Sequence, residues 1–190
     1  MIIIGITGTL GAGKGTVVEH LVQEQGFVHF SVRGYLSELI KNKGKELNRD
    51  SLTHTANELR QKHGPSFIIE QLYEKAVLCN QNCIIESIRT PGEIDALRTK
   101  PMFFLLAVDA DIQLRFKRIK QRDSETDRID FTTFKDNETR EMHSDDPSKQ
   151  NLSVCINQAD YVLYNNGTLE ELHQKTNAVL LKITKQCSKT

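Results

Sequence analysis

The strongest constraint in this chain is a glycine-rich loop, Gly8-Thr9-Leu10-Gly11-Ala12-Gly13-Lys14-Gly15-Thr16. It lies between the apolar run Ile2-Ile3-Ile4-Gly5-Ile6 and a helical pattern that starts at Lys14. Glycines leave such a loop free to curl, which turns backbone N–H groups inward. The N-terminus of the following helix adds its partial positive charge at the same place, and Lys14 supplies a mobile cation. A loop of this kind is built to hold a polyphosphate, and its strand-loop-helix context implies an α/β fold.

The glycine and lysine spacing is the Walker A arrangement. ATP is expected on Gly8, Gly11, Ala12, Gly13, Lys14, Gly15 and Thr16, with Mg²⁺ accompanying the nucleotide. Gly15 stands where most such loops carry the hydroxyl that touches the metal. Thr16 is therefore expected to meet the α-phosphate, leaving Mg²⁺ held largely through water.

Strand-like apolar runs recur at Ile2–Ile6, Phe27–Phe30, Cys83–Ile85, Met102–Val108 and Tyr161–Tyr164. Amphipathic patterns between them predict helices over Lys14–Gln25, Gly34–Lys41, Ser51–His63, Pro65–Leu78, Ile112–Arg122 and Leu169–Ile183. Strands alternating with helices predict a five-stranded parallel sheet with helices on both faces, a three-layer α/β/α fold within one domain. Pro65 is placed to open a helix and Thr168 to cap the last one. Residues from about 118 to 149 are rich in charge and hydroxyls and poor in apolar side chains. They predict a mobile, exposed insertion with one helix near Phe131–His143, positioned as a lid.

With 25 basic and 25 acidic residues, overall charge draws the chain to neither nucleic acid nor an anionic membrane, so an anion must be captured locally. The N-terminal run is too short for a signal peptide and no stretch reaches membrane-spanning length, so a cytoplasmic location is expected. Cys79, Cys83, Cys155 and Cys187 form no CxxC pair and are expected as reduced thiols, and neither they nor the histidines show metal-ligand spacing.

The string Gly11-Ala12-Gly13-Lys14-Gly15-Thr16 resembles the phosphate loop of adenylate kinases, in which glycine also follows the lysine. Glu86-Ser87-Ile88-Arg89-Thr90 is similar to their Asp-Gly-x-Pro-Arg-Thr segment, which implies that Arg89 grips an acceptor phosphate. The segment from Ala159 to Leu172 is similar to the C-terminal part of dephospho-CoA kinases, and Glu58-Leu59-Arg60 with Gly64-Pro65 resembles dephospho-CoA-kinase-like proteins. The acceptor side departs from both families. Ser37 stands where adenylate kinases carry an arginine, Arg33 lies four residues earlier, and no carboxylate occurs between Phe27 and Ser37.

Phosphoryl transfer rests on positioning and charge neutralisation. Arg115, Arg118 and Arg122 fall along one helix face, with Arg128 in the insertion beyond. Lys14, Arg89, Arg118 and Arg122 are the catalytic candidates, and Arg33, Glu86 and Arg89 the acceptor-side ones. Glu86 is also a candidate for holding Mg²⁺ through water. Asp109, its competitor at the end of the next strand, reads better as a helix cap. The expected activity is transfer from ATP to a small nucleotide-like acceptor, a nucleoside or deoxynucleoside monophosphate first and dephospho-CoA second. A nucleotide-dependent switch or an assembly ATPase is the reading from another class. No Asn-Lys-x-Asp guanine signature is present.

Overall fold

A computed structural model describes residues 1–122 and 129–188. Arg128 lies outside the described residues. The strands are β1 (Ile3–Gly8), β2 (Val28–Ser31), β3 (Cys83–Glu86), β4 (Phe103–Asp109) and β5 (Tyr161–Tyr164), paired in parallel in the order β2-β3-β1-β4-β5. All six residues of β1 are buried, because both faces of the sheet are covered. Among the described residues the helices are α1 (Lys14–Gln25), α2 (Val32–Asn42), α3 (Arg49–His63), α4 (Phe67–Cys79), α5 (Pro91–Arg98), α6 (Ile112–Arg122), α7 (Phe131–Met142), α8 (Leu152–Asn157) and α9 (Leu169–Cys187).

Successive strand residues point to opposite faces, which divides the core in two. Ile4 and Ile6 pack with Val17 and Leu21 of α1 and with Leu172, Val179 and Ile183 of α9. Ile3 and Ile85 pack on the other side with Leu36 of α2, Ile68 and Leu72 of α4, Ile94 of α5 and Cys155 of α8. Each fully buried isoleucine contributes about 1.5–3 kcal/mol by leaving water. The expected α/β/α layering is thus the observed one.

Local caps account for most boundaries. The Ser31 hydroxyl accepts from the Gly34 amide at 3.1 Å, which starts α2 at Val32, two residues before the expected Gly34. Thr168 caps α9 as expected, by accepting from the Glu171 amide at 3.2 Å. Pro65 does not open α4. The helix begins at Phe67 behind Ser66, and the Pro65 ring sits against Gly92 at the start of α5. Asp109 is not the cap of α6 either. Its Oδ1 accepts from the Thr9 hydroxyl and the Ala110 amide, while Asp111 accepts from the Gln113 and Leu114 amides. Helix α5, absent from the sequence reading, carries a capping box between Thr90 and Glu93 with Pro91 at its first turn.

The insertion differs from the exposed excursion expected of it. Helix α7 buries Phe134 and Asn137, and Phe134, Phe131 and Phe116 form an aromatic cluster with ring centroids 5.1–6.4 Å apart. Its few apolar residues are concentrated on the face that meets α6. Among the described residues, no helix is long and apolar enough to cross a membrane.

A buried ion pair joins α3 to the turn after β3. Arg60 donates from Nε and Nη2 to Oε1 of Glu93, at 3.2 and 2.7 Å, with both side chains almost fully buried. Oε2 of Glu93 accepts from the Arg89 and Thr90 amides, at 2.8 and 3.1 Å. Replacing Glu93 with alanine strands a buried guanidinium and two amides at once. Glu93→Ala is expected to lower the unfolding free energy by about 3–5 kcal/mol in urea titration. A loss below about 1 kcal/mol would show that the network is not what holds the turn.

Candidate active site

The glycine-rich loop closes at the carboxyl edge of the sheet, where open α/β folds bind ligands. Gly8 has φ 133°, and a Cβ there would run into the Val108 carbonyl, so the loop presses directly on β4. Gly13 has φ 105° and packs against the Asn165 amide group, which donates to the Ala12 carbonyl at 2.8 Å. Gly13 is the N-cap of α1 and provides no side-chain cap. The first helical backbone bond within the loop runs from the Val17 amide to the Gly13 carbonyl at 3.2 Å. The amides just before it, on Lys14, Gly15 and Thr16, belong to the first turn of α1 and have no partner earlier in the helix, the arrangement that receives an anion. A Cβ at Gly15 would meet nothing within 4 Å.

Lys14 Nζ lies folded against the loop, donating to the Gly8 and Thr9 carbonyls at 2.9 and 2.8 Å. Burial, reinforced by the positive charge of Arg89, pushes its pKa down from 10.5 to about 7, against the opposing pull of Glu86 and Glu141. A cation so disfavoured in the free protein is poised to be restored by a bound anion.

Beside the lysine lies a cavity of about 210 Å³. Its chemical side is formed by Lys14, Glu86, Ser87, Arg89, Arg122 and Glu141, and its opposite wall by residues of α2 and α3, including Arg33, Leu36, Leu52 and Ala56. The structure therefore brings Lys14, Arg33, Glu86, Arg89 and Arg122 to one space. Arg33 is exposed and reaches the rim.

Arg118 is not in that cavity. Its Nη1 donates to the Asn165 carbonyl at 2.9 Å, at the end of β5 and behind the loop. Arg115, on the same helix, is buried and structural. It donates to the Ala110 carbonyl at 2.7 Å, to the Leu10 carbonyl at 3.3 Å, and to both carboxylate oxygens of Glu138. The arginines of α6 thus diverge in destination, and Arg122 alone of the three lines the cavity.

Arg89 is aimed by residues distant in sequence. Its Nη1 donates to Glu141 of α7 at 2.9 Å and to Gln150 at 2.8 Å, and its carbonyl accepts from the Asn151 amide at 2.9 Å. Ser87 has φ 76°, a left-handed conformation that costs a non-glycine residue about 1–3 kcal/mol. The amides of Ser87 and Ile88 both donate to the Ile6 carbonyl, at 3.0 and 3.1 Å. This bend turns the chain so that Arg89 faces back toward the loop.

Glu86 pairs with His29 of β2, Oε2 to Nε2 at 3.1 Å. Burial would raise its pKa, but the hydrogen bond and charge of His29, with Lys14 and Arg89, hold it below the usual glutamate value. Sheet register places Glu86 opposite Ser31, so the carboxylate missing from the end of β2 is supplied there by its neighbour. Neither His29 nor Glu141 nor Gln150 was among the sequence candidates. Only the strand alternation that puts His29 and Ser31 on the same side hinted at the first.

Residues 4–143 match the family described as AAA domain. The chain belongs to that family. The matched part of the AAA domain takes in the loop, the cavity wall and α7, and stops before α8, β5 and α9. Over nearly its whole length the chain is also similar to a UPF0200 protein of Methanothermobacter thermautotrophicus. The two are 26% identical over 188 residues, covering 98% of this chain and 93% of the relative. Among solved structures, TT1252 from Thermus thermophilus superposes with a TM-score of 0.62 at 22% identity, covering 95% of this chain and 97% of that one. A shikimate kinase from Bacteroides thetaiotaomicron superposes with a TM-score of 0.57 at 14% identity, covering 94% of this chain and 98% of that one. The fold of this AAA domain is that of the P-loop kinases.

The lysine gives the site a proton signature. Between about pH 7 and 10.5 the free folded protein holds Lys14 mainly neutral, whereas a bound polyphosphate favours the ammonium. Binding of ADP at about pH 8.5 is expected to take up close to one proton, read by calorimetry in buffers of different ionisation enthalpy. Uptake should vanish in Lys14→Met. Equal uptake in that variant would assign the proton to another group.

Proposed function

We propose that the protein is an ATP-dependent phosphotransferase, with a nucleoside or deoxynucleoside monophosphate as its acceptor. Phosphate would pass from ATP to the monophosphate, giving a nucleoside diphosphate and ADP. The observation that carries this reading is the convergence of Lys14, Arg89 and Arg122 on one cavity beside the uncapped start of α1.

The loop amides and Lys14 would hold the β- and γ-phosphates of ATP. Arg89 would hold the acceptor phosphate, because Glu141 and Gln150 engage only its Nη1, leaving Nη2 and Nε for a ligand. Arg122 would neutralise charge on the group in flight, and Arg33 would meet the acceptor at the rim. Such a site accelerates transfer by alignment and charge compensation, without a protein nucleophile.

Glu86 fits a role beside a hydrated cation. Its Oε2 is taken by His29, while Oε1 accepts no hydrogen bond among the described residues. Asp109 fits less well, with Oδ1 occupied by Thr9 and Ala110. Mg²⁺ bound with ATP would offset the negative charge of the β- and γ-phosphates.

The His29–Glu86 pair favours a second reading, transfer to a hydroxyl acceptor such as dephospho-CoA. There the ionised carboxylate would accept the hydroxyl proton. The shikimate kinase with the same fold supports this reading in kind, since its name denotes a hydroxyl-bearing substrate.

The two readings separate in one assay. ADP formation from Mg-ATP would be followed with AMP, CMP, UMP, GMP, their deoxy forms and dephospho-CoA, using Lys14→Ala as control. Lys14-dependent stimulation by a monophosphate supports the first reading, and stimulation by dephospho-CoA alone supports the second. Slow hydrolysis indifferent to every acceptor would replace both with a nucleotide switch or assembly ATPase. With the active acceptor, Arg89→Ala and Arg122→Ala should each lower turnover by about 10²-fold or more. Arg118→Ala should act chiefly on the KM for ATP, because Arg118 braces Asn165 against the loop. A turnover loss in Arg118→Ala equal to that in Arg122→Ala would contradict this division.

A further inference from the structure

Helix α4 ends at Cys79 and β3 begins at Cys83, with Asn80, Gln81 and Asn82 between them. Asn80 turns the chain through a left-handed conformation with φ 49°. The turn is fastened to both neighbouring strands. The Asn82 side chain accepts from the Ile2 amide at 2.9 Å, and its carbonyl accepts from the Val28 amide at 2.9 Å. This rigid turn sets the two sulfurs 3.2 Å apart, both within reach of the Ala76 carbonyl. Cys83 is fully buried and Cys79 partly exposed.

We infer that Cys79 and Cys83 are a dithiol site that exchanges with small-molecule disulfides and closes to an intrachain disulfide. The sulfurs need approach by only about 1 Å to reach the ordinary bond length. Cys79, the one open to solvent, acts first. Its thiolate attacks one sulfur of the oxidant RSSR, the S–S bond of the oxidant breaks, and RS⁻ leaves and takes a proton. The product is a mixed disulfide on Cys79. Cys83 then gives its proton to water and attacks the Cys79 sulfur, expelling the second RS⁻. Two protein thiols are oxidised and one disulfide is reduced to two thiols.

Burial and the hydrogen bond shared with Cys79 push the Cys83 thiol up to about 12, so this sulfur is a poor first nucleophile. Cys155 is buried, with its thiol likewise pushed to about 12 by burial, and has no second sulfur at hand among the described residues. Closure would tie the end of α4 to the first residue of the strand that ends in Glu86.

The test uses the folded, full chain with excess oxidised glutathione, followed by alkylation and tryptic digestion. Cleavage after Lys75 and Arg89 releases residues 76–89 as one peptide holding both cysteines. That peptide is expected unalkylated and about 2 Da lighter than its dithiol form, and dithiothreitol should reverse the change. In Cys83→Ala, Cys79 should keep one glutathione, whereas in Cys79→Ser, Cys83 should take none. Recovery of the wild-type peptide with two alkyl groups, or with a stable glutathione on Cys79, overturns the inference. The wild-type readout stands without either variant.

Discussion

The Arg115 guanidinium binds three pieces of the site at one point. From a buried position on α6 it donates to the Ala110 carbonyl at the end of β4, to the Leu10 carbonyl in the phosphate loop, and to Glu138 of α7. A buried arginine must have its donors satisfied, because each unpaired one carries a desolvation cost of about 1–3 kcal/mol. Loop, strand edge and insertion are therefore joined through one residue's hydrogen bonds, alongside the Thr9–Asp109 bond and the aromatic cluster of α6 and α7. Phe134 packs beneath the same guanidinium at 5.8 Å, so the docking face of α7 is apolar and ionic at once.

A chain of zero net charge can still gather cations in one cleft, because charge is sorted by place. Lys14, Arg33, Arg89 and Arg122 line one cavity together with Glu86 and Glu141, while Arg60 on its wall is paired with Glu93, and Arg115 outside it with Glu138. Glu86 and Glu141 temper the field enough for Lys14 to retain a pKa of about 7. The carboxylates thus position some cations and spare others, which overall composition cannot reveal.

The layered fold was legible in the chain because its signals are local. Ile2 to Ile6 followed by glycines and a lysine, and the repeating apolar runs, need no knowledge of distant residues. Helix α5 was missed, because so short a helix carries little periodic signal, although Thr90, Pro91 and Glu93 spell its capping box. The docking of α7 was hidden, because its pairs join Arg115 to Glu138 and Arg89 to Glu141 across 23 and 52 positions. The same holds for His29 and Glu86, 57 apart and united only by sheet register. The α6 arginines misled in another way. Helical spacing gave them a common face, but their long side chains end in different places.

The wall of the cavity opposite the lysine comes from one uninterrupted stretch, residues 31–60, between β2 and α4. The groups proposed for phosphate handling lie elsewhere, on the loop, the β3 turn, α6 and α7. On the proposed function, selectivity for the acceptor and the apparatus of phosphate transfer would be encoded largely in separable passages of the chain. Evolution, or an engineer, could then rewrite the cavity-facing positions of α2 and α3 as a cassette, provided Arg60 remains to answer Glu93 and the buried Val32, Leu36, Ile40 and Ala56 keep their place in the core.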